Sequence, residues 1–311
     1  MKTCFLYPGQ GAQYPGMGKD FFEESGEVKR LFETASEVAE KDIEKLLFEG
    51  TEDELKATDN TQIAVTVVNC AASIVLGERG ILADGAAGFS LGEYSALWEA
   101  GVLSTEDLFA VVKTRGAVME RESRKVDTAG GPAGMAAVIG LAYDEAMEVL
   151  EGLKEDRVYL ANYSSPIQLV LAGTAEGLDK AESAFDAAGA MKYVRLKVSG
   201  PFHSPLLKSA RDEFEEFLTD ITFNDPKKPV YANVTGRIVT DGLEAKALCA
   251  EQIVSPVRWV DEEQSLLQDG YERYLETGPG SVLSGLWKSF YKKIRCRKAG
   301  TVADIEEILA E

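Results

Sequence analysis

Residues 134–198 read, in order, as a strand (GMAAVIGL), a helix (AYDEAMEVLEGLKE), two strands (RVYLANYS and IQLVLAG), a helix (AEGLDKAESAFDAAG) and a strand (MKYVRLKVS). No other run of the chain limits the fold so tightly, because β-α-β-β-α-β is the order of the ferredoxin-like unit. The glycine- and proline-rich DTAGGPAG in front of it reads as a domain boundary. After residue 198 the chain returns to a second body at GPFHSPLLKSARDEFEEFL. The expected organisation is therefore α/β. A large domain is built from residues 1–130 and 199–311, and a small ferredoxin-like domain over 131–198 is inserted into it.

The large domain opens with a predicted strand, Thr3–Tyr7, running into PGQGAQYPGMG. Gly9 and Gly11 fit the start of a dinucleotide fingerprint, but Tyr14 occupies its third glycine position, and no P-loop pattern occurs. Residues 26–42 and 60–78 are expected to be helices, the second strongly apolar. A strand over Ala83–Phe89, then Ser90, then a helix from Leu91 to Ala100 surround Gly88-Phe89-Ser90-Leu91-Gly92. Strand, G-x-S-x-G turn and helix form the context of a nucleophile elbow, which presents a serine hydroxyl at a sharp turn. An ordinary glycine-rich turn satisfies the same pattern.

A serine hydroxyl becomes a useful nucleophile only beside a base. The chain has one histidine, His203, in SGPFHSPLL. It is the sole imidazole available to Ser90, or else a turn residue beside two prolines. Acyl transfer also needs donors for the oxyanion. The N–H of Leu91, at a helix start, is one candidate, and the PGQGAQ loop can bring a second, since glycines let backbone approach a ligand closely. In TEDLFAVVKTRGAVMERES, Leu108, Val111, Val112, Val118 and Met119 make an apolar stripe at helical spacing, and Arg115 falls on it. A guanidinium there needs a structural Asp or Glu, a route outward to solvent, or a substrate carboxylate gripped bidentately.

Composition narrows the partners. The net charge of −19, from 33 basic and 52 acidic side chains among 311 residues, argues against nucleic acid and anionic membranes. No stretch reads as a membrane span or a signal peptide, and one histidine with no ligand-spaced cluster argues against a metal site. Cys4, Cys70, Cys249 and Cys296 are scattered and read as reduced thiols of a cytoplasmic protein.

A series of short motifs now carries a resemblance. PGQGAQ (8–13), GFSLGEYSAL (88–97), Arg115, GGPAGMAAV (130–138), NYSSPIQLVLAG (162–173), GPFHS (200–204), ANVTG (232–236), QIVSPVRW (252–259) and ETGPGSVLSGL (276–286) occur in this order. Together they resemble malonyl-CoA:acyl carrier protein transacylases, the acyltransferases of fatty acid and polyketide synthesis. The resemblance implies an α/β-hydrolase-like large domain with the ferredoxin-like insert. It implies Ser90 as the acylated nucleophile, His203 as base, and the N–H groups of Gln10 and Leu91 as the oxyanion hole. Arg115 would hold the malonyl carboxylate, Gln252 would orient His203 through its main-chain carbonyl, Asn162 would lie near the substrate, and Phe202 would favour malonyl over a branched acyl group. Phe89 stands where this family usually has histidine. The substrate would be malonyl-CoA and the partner an acidic acyl carrier protein, with no cofactor or metal. Because the chain is itself acidic, the basic run Lys288, Lys292, Lys293, Arg295, Arg297 and Lys298 is either a solvated face offsetting the excess acid or the carrier dock, with the edge Lys192, Arg195 and Lys197 as the second choice for the dock. A serine esterase or thioesterase would share the elbow but should carry an acid between Ser90 and His203 in chain order. An inactive scaffold subunit would need none of the three charged or nucleophilic groups.

Overall fold

The computed structural model of the chain describes residues 1–153 and 156–310. Its strands are β1 (Thr3–Tyr7), β2 (Gly85–Gly88), β3 (Gly134–Ile139), β4 (Val158–Ser165), β5 (Gln168–Gly173), β6 (Lys192–Arg195), β7 (Tyr231–Ala232), β8 (Arg237–Ile238), β9 (Arg273–Glu276) and β10 (Cys296–Lys298). The main sheet runs β10-β9-β1-β2, all parallel, with Phe5 opposite Ala86 on one side and Leu275 on the other. A bridge from Ala86 to Val230 extends it by one more segment.

A parallel sheet is covered on both faces, so its central strand is apolar throughout rather than alternating. β1 is wholly buried, and its side chains divide between two cores. Phe5 and Tyr7 join the cluster that includes the helix Thr58–Glu78, while Cys4 and Leu6 pack with Tyr231, Trp259 and Trp287. Among the described residues, Thr58–Glu78 is long and apolar enough to cross a membrane by length and composition, which the sequence reading passed over. Yet 83% of that window is buried inside the protein, so its apolarity belongs to the core. Burial of Val65, Val67, Val68 and Leu76 contributes about 1.5–3 kcal/mol each.

Several boundaries differ from the sequence reading. The helix expected over 26–42 stops at Ala39, because Glu40 turns left-handed (φ 57°) and Asp42 then caps the helix Ile43–Phe48. The helix read to 155 is seen over Tyr143–Glu151, and Lys154 and Glu155 lie outside the described residues. The last strand of the small domain is only Lys192–Arg195.

The small sheet runs β4-β5-β3-β6, antiparallel throughout. One face packs Ala136, Val138, Leu169 and Leu171 against its own two helices, through Ala146, Leu150, Leu178 and Phe185. The other face, with Met135, Ala137, Val170 and Ala172, merges with the core of the large domain. β4 is tied down further by Val257, which exchanges hydrogen bonds with Ala161 and Tyr163 (2.8 Å each). The register of β4 slips between Leu160 and Asn162, which re-aims the strand beside the large domain.

Candidate active site

The turn between β2 and the helix Gly92–Glu99 is built on backbone contacts that allow no side chain. A Cβ on Gly88 would meet Gly92 main-chain atoms at 2.1 Å, and one on Gly92 would meet the Tyr7 carbonyl oxygen at 2.0 Å. The two glycines of G-x-S-x-G therefore let the helix start against the end of β1. Ser90 between them has φ 52°, and His203 has φ 58°. Left-handed backbone at non-glycine residues stores strain and clusters at functional sites.

These two residues meet. Ser90 Oγ lies 2.7 Å from His203 Nε2, and His203 Nδ1 lies 2.8 Å from the Gln252 carbonyl oxygen. A carbonyl only accepts, so Nδ1 carries the proton and donates, and Nε2 is left to accept from the serine hydroxyl. The imidazole is 3% exposed. Burial, and after it the positive charge of Arg115, lower its pKa to about 3, so the ring stays neutral at any ordinary working pH.

Arg115 is 1% exposed, which removes the outward route. Its Nη1 donates to Gln62 Oε1 and its Nη2 to Gln252 Oε1, both at 2.9 Å, and Nη2 lies 3.4 Å from Ser90 Oγ. Its Cζ sits 5.3 Å from the centroid of the Tyr94 ring. Nε has no hydrogen-bond partner, and no carboxylate pairs with the guanidinium among the described residues. The site thus holds a buried cation bound only by neutral groups beside a serine hydroxyl. That arrangement favours an arriving anion.

A cleft of about 110 Å³ opens over this pair. Gln10, Phe89, Asn162, Phe202, Met119 and Met135 are among the residues lining it. Its volume is small beside the roughly 300–1,000 Å³ of pockets that take drug-sized ligands, which fits a short acyl group. The Asn162 Oδ1 atom is buried without a partner, and Phe202 is 6% exposed against the base. Neither the Gln10 nor the Leu91 N–H is engaged by a hydrogen bond among the described residues, and Leu91 precedes the first turn of Gly92–Glu99. Two free N–H groups, one at a helix start and one in the glycine-rich loop after β1, suit a developing oxyanion. Phe89 meets the Trp259 ring edge-on, centroids 5.5 Å apart, and so contributes an apolar wall. The structure thus gathers Ser90, His203, Arg115, Gln252, Gln10, Leu91, Asn162 and Phe202 in one place.

Sequence reasoning missed three supporting residues. Gln62, which takes one end of Arg115, is a polar side chain in an apolar helix, and that contrast was the available signal. Asn233 brackets the elbow, accepting from the Ser90 N–H (2.7 Å) and donating to the Gly88 carbonyl (2.7 Å). In sequence it reads only as a turn residue. Glu93 is buried behind Gln252 and reads as a routine acid in a first helical turn.

Known proteins resemble this chain over nearly its whole length. The acyl transferase domain family matches residues 4–306. The malonyl CoA-acyl carrier protein transacylase of Bacillus subtilis (strain 168) is 38% identical over 309 residues, which cover 99% of this chain and 95% of that protein. The polyketide biosynthesis protein ThaF of Burkholderia thailandensis is 40% identical over 96% of this chain, a match that takes in 24% of that longer protein. Among solved structures, an acyl-carrier-protein S-malonyltransferase from Burkholderia pseudomallei 1710b superposes with a TM-score of 0.93 at 34% identity, with both chains fully covered. A malonyl-transacylase in complex with its type II PKS acyl-carrier protein gives 0.94 at 32% identity over 100% of this chain and 99% of that one.

Proposed function

The chain belongs to the acyl transferase family, and from that premise we propose how its own residues move a malonyl group from malonyl-CoA to the phosphopantetheine thiol of an acyl carrier protein. Malonyl transfer to a carrier protein is the activity named for its relatives. The observation that carries the assignment of parts is Arg115, a buried cation with neutral partners only, 3.4 Å from Ser90 Oγ. A malonyl carboxylate supplies the missing anion and places its thioester carbon at Ser90.

His203 Nε2 takes the hydroxyl proton as Ser90 Oγ attacks the thioester carbonyl. The N–H groups of Gln10 and Leu91 receive the oxyanion, the CoA thiolate leaves with the proton from His203, and a malonyl-serine ester remains. The carrier thiol then gives its proton to His203, attacks the ester carbonyl, and Ser90 leaves with that proton. The main-chain carbonyl of Gln252 keeps the imidazole in the tautomer that both halves use. Phe202 crowds the position where a branch methyl would sit, and the unpartnered Asn162 Oδ1 is available to a donor on the substrate. Ser90 and His203 supply the nucleophile and the base, so these steps call on neither a metal nor a redox group. A cytoplasmic site of action is part of the same proposal, as is indifference to nucleic acid and membranes on account of the −19 charge. Hydrolysis is the less supported reading, because the base is held by a carbonyl rather than by the acid an esterase places there.

Arg115→Ala is expected to lower malonyl loading by about 10- to 100-fold, corresponding to about 1.5–3 kcal/mol for a lost charge-assisted pair. Acetyl loading should fall much less, since acetyl brings no carboxylate. Parallel loading assays with the two acyl-CoAs decide this, and equal losses would make Arg115 structural.

The carrier is proposed to dock on the basic face made by the last turn of the helix Val282–Phe290 and the segment after it. Lys288, Lys292, Lys293 and Arg295 are exposed and make no ion pair among the described residues, whereas Arg195 of the small-domain edge is already committed to Asp179. Lys288, Lys292, Arg295 and Lys298 line a cavity of about 620 Å³, and Lys298 also borders a smaller hollow that reaches Tyr14 in the loop bearing Gln10. The double variant Lys292→Glu, Lys293→Glu should slow transfer to the carrier through its association rate, leaving malonyl-CoA loading unchanged. Stopped-flow transfer at rising salt checks it, because screening weakens such docking as the Debye length falls below about 10 Å. Wild-type transfer by the double variant at low salt would place the dock elsewhere.

A further inference from the structure

Gln252 does two jobs at once. Its main-chain carbonyl accepts from His203 Nδ1 at 2.8 Å, and its side-chain Oε1 accepts from Arg115 Nη2 at 2.9 Å. The amide nitrogen faces the opposite way, 2.5 Å from Glu93 Oε2, 3.1 Å from the Ser90 carbonyl and 3.2 Å from Asn233 Oδ1. A carboxamide is nearly symmetric in shape, so packing alone does not choose between its two flips. A guanidinium has only donors and an ionised carboxylate only acceptors. Arg115 at one end and Glu93 at the other therefore permit one flip.

We propose that Glu93 is a positioning residue for malonyl transfer, fixing the Gln252 amide so that this one residue serves both His203 and Arg115. The inference rests on the function proposed above. Glu93 is 1% exposed and is absent from the lining of the cleft, so it acts through Gln252 rather than on the substrate. The same Glu93 oxygen accepts from the Asn233 N–H at 3.2 Å, and the Asn233 side chain holds the strained turn at Ser90. Nucleophile, base and carboxylate binder are thus anchored to one buried acid.

Ionisation of Glu93 then matters. Burial raises its pKa to about 7, with the hydrogen bonds from Gln252 and Asn233 and the charge of Arg115 pulling back. The other titratable groups around it are Glu262 and Cys249, both pushed well above their ordinary values by burial, together with Tyr94 and the neutral His203. Cys249, Tyr94 and the neutral His203 do not change charge near neutrality, and Glu262, which shares Asn233 with Glu93, is the other carboxyl here, so removing Glu93 is what separates its titration from that of Glu262. Protonation there removes the constraint on the amide flip.

The test measures rapid-quench loading of Ser90 by malonyl-CoA and by acetyl-CoA from about pH 5.5 to about 8.5 in the wild type and in Glu93→Gln, with unfolding temperatures alongside. In the wild type, kcat/KM for malonyl should fall as pH drops through about 7. In Glu93→Gln that acid limb should vanish. Malonyl loading at high pH should be about tenfold lower, and the malonyl-to-acetyl ratio at least about threefold narrower, with the unfolding temperature retained. A wild-type ratio and rate in Glu93→Gln would overturn the proposal. So would a proportional loss toward both substrates with a lowered unfolding temperature, which marks a structural residue only. If the variant does not fold, the wild-type profile decides, since a flat malonyl profile through pH 7 overturns the proposal by itself. A wild type that never loads malonyl would instead contradict the transferase reading.

Discussion

Replacing Ser90 by alanine is expected to abolish the acyl-enzyme and to lower malonyl transfer by about 10⁴-fold or more, the scale seen when a covalent nucleophile is removed. The expectation follows from the geometry of one atom. Ser90 Oγ is the group that sits within hydrogen-bond reach of both the imidazole (2.7 Å) and the guanidinium (3.4 Å). Removing it should leave the binding parts standing, because Arg115 keeps its bonds to Gln62 and Gln252. The alanine variant should therefore still bind malonyl-CoA while gaining no mass, and its unfolding temperature should stay close to that of the wild type. Alanine is held at the same left-handed φ of 52° that serine tolerates, by the same Asn233 bracket. A stable malonyl adduct on the purified variant would move the attachment point elsewhere.

Replacing His203 by alanine is expected to slow both half-reactions, loading and transfer, by at least about 100-fold, the ordinary scale of general acid–base catalysis. The chain contains one histidine, so no second imidazole can take over. The buried ring also leaves a mark on stability. Its folded pKa is depressed to about 3, whereas an unfolded histidine titrates near 6.5. Between those values the unfolded chain binds the extra proton, so this residue costs stability progressively as pH falls from about 6.5 towards 3. His203→Gln should consequently show a shallower acid loss of stability than the wild type, read from unfolding midpoints across that window. Equal acid sensitivity would mean the native imidazole is not held neutral.

Much of this site was legible because its chemistry needs residue types that are scarce in the chain. A single histidine, a serine between two glycines and an arginine on an apolar stripe each stand out against their surroundings. The ferredoxin-like unit was legible for a different reason: its six elements follow one another locally, so their order alone names the sheet. The main sheet was harder to read, since β1 pairs with β2 and β9, and Phe5 finds Leu275 only after almost the whole chain has passed. The supporting shell was hardest. Gln62, Glu93, Asn233 and the side chain of Gln252 converge from separate helices and turns, and each has an innocuous local explanation. Hydrogen-bond networks of this kind are specified by three-dimensional proximity and leave no periodicity behind. Element ends drifted where a left-handed residue such as Glu40 closed a helix without glycine.

The central claim is that malonyl passes through Ser90 to a carrier thiol. Intact-mass analysis of the wild-type protein, first with malonyl-CoA alone and then after adding phosphopantetheinylated acyl carrier protein, tests it in one experiment. One malonyl group is expected on Ser90 in the first step, followed by its quantitative appearance on the carrier in the second, faster than its release as free malonate. A protein that gains no mass, or whose adduct is lost to water while the carrier stays unloaded, would contradict it.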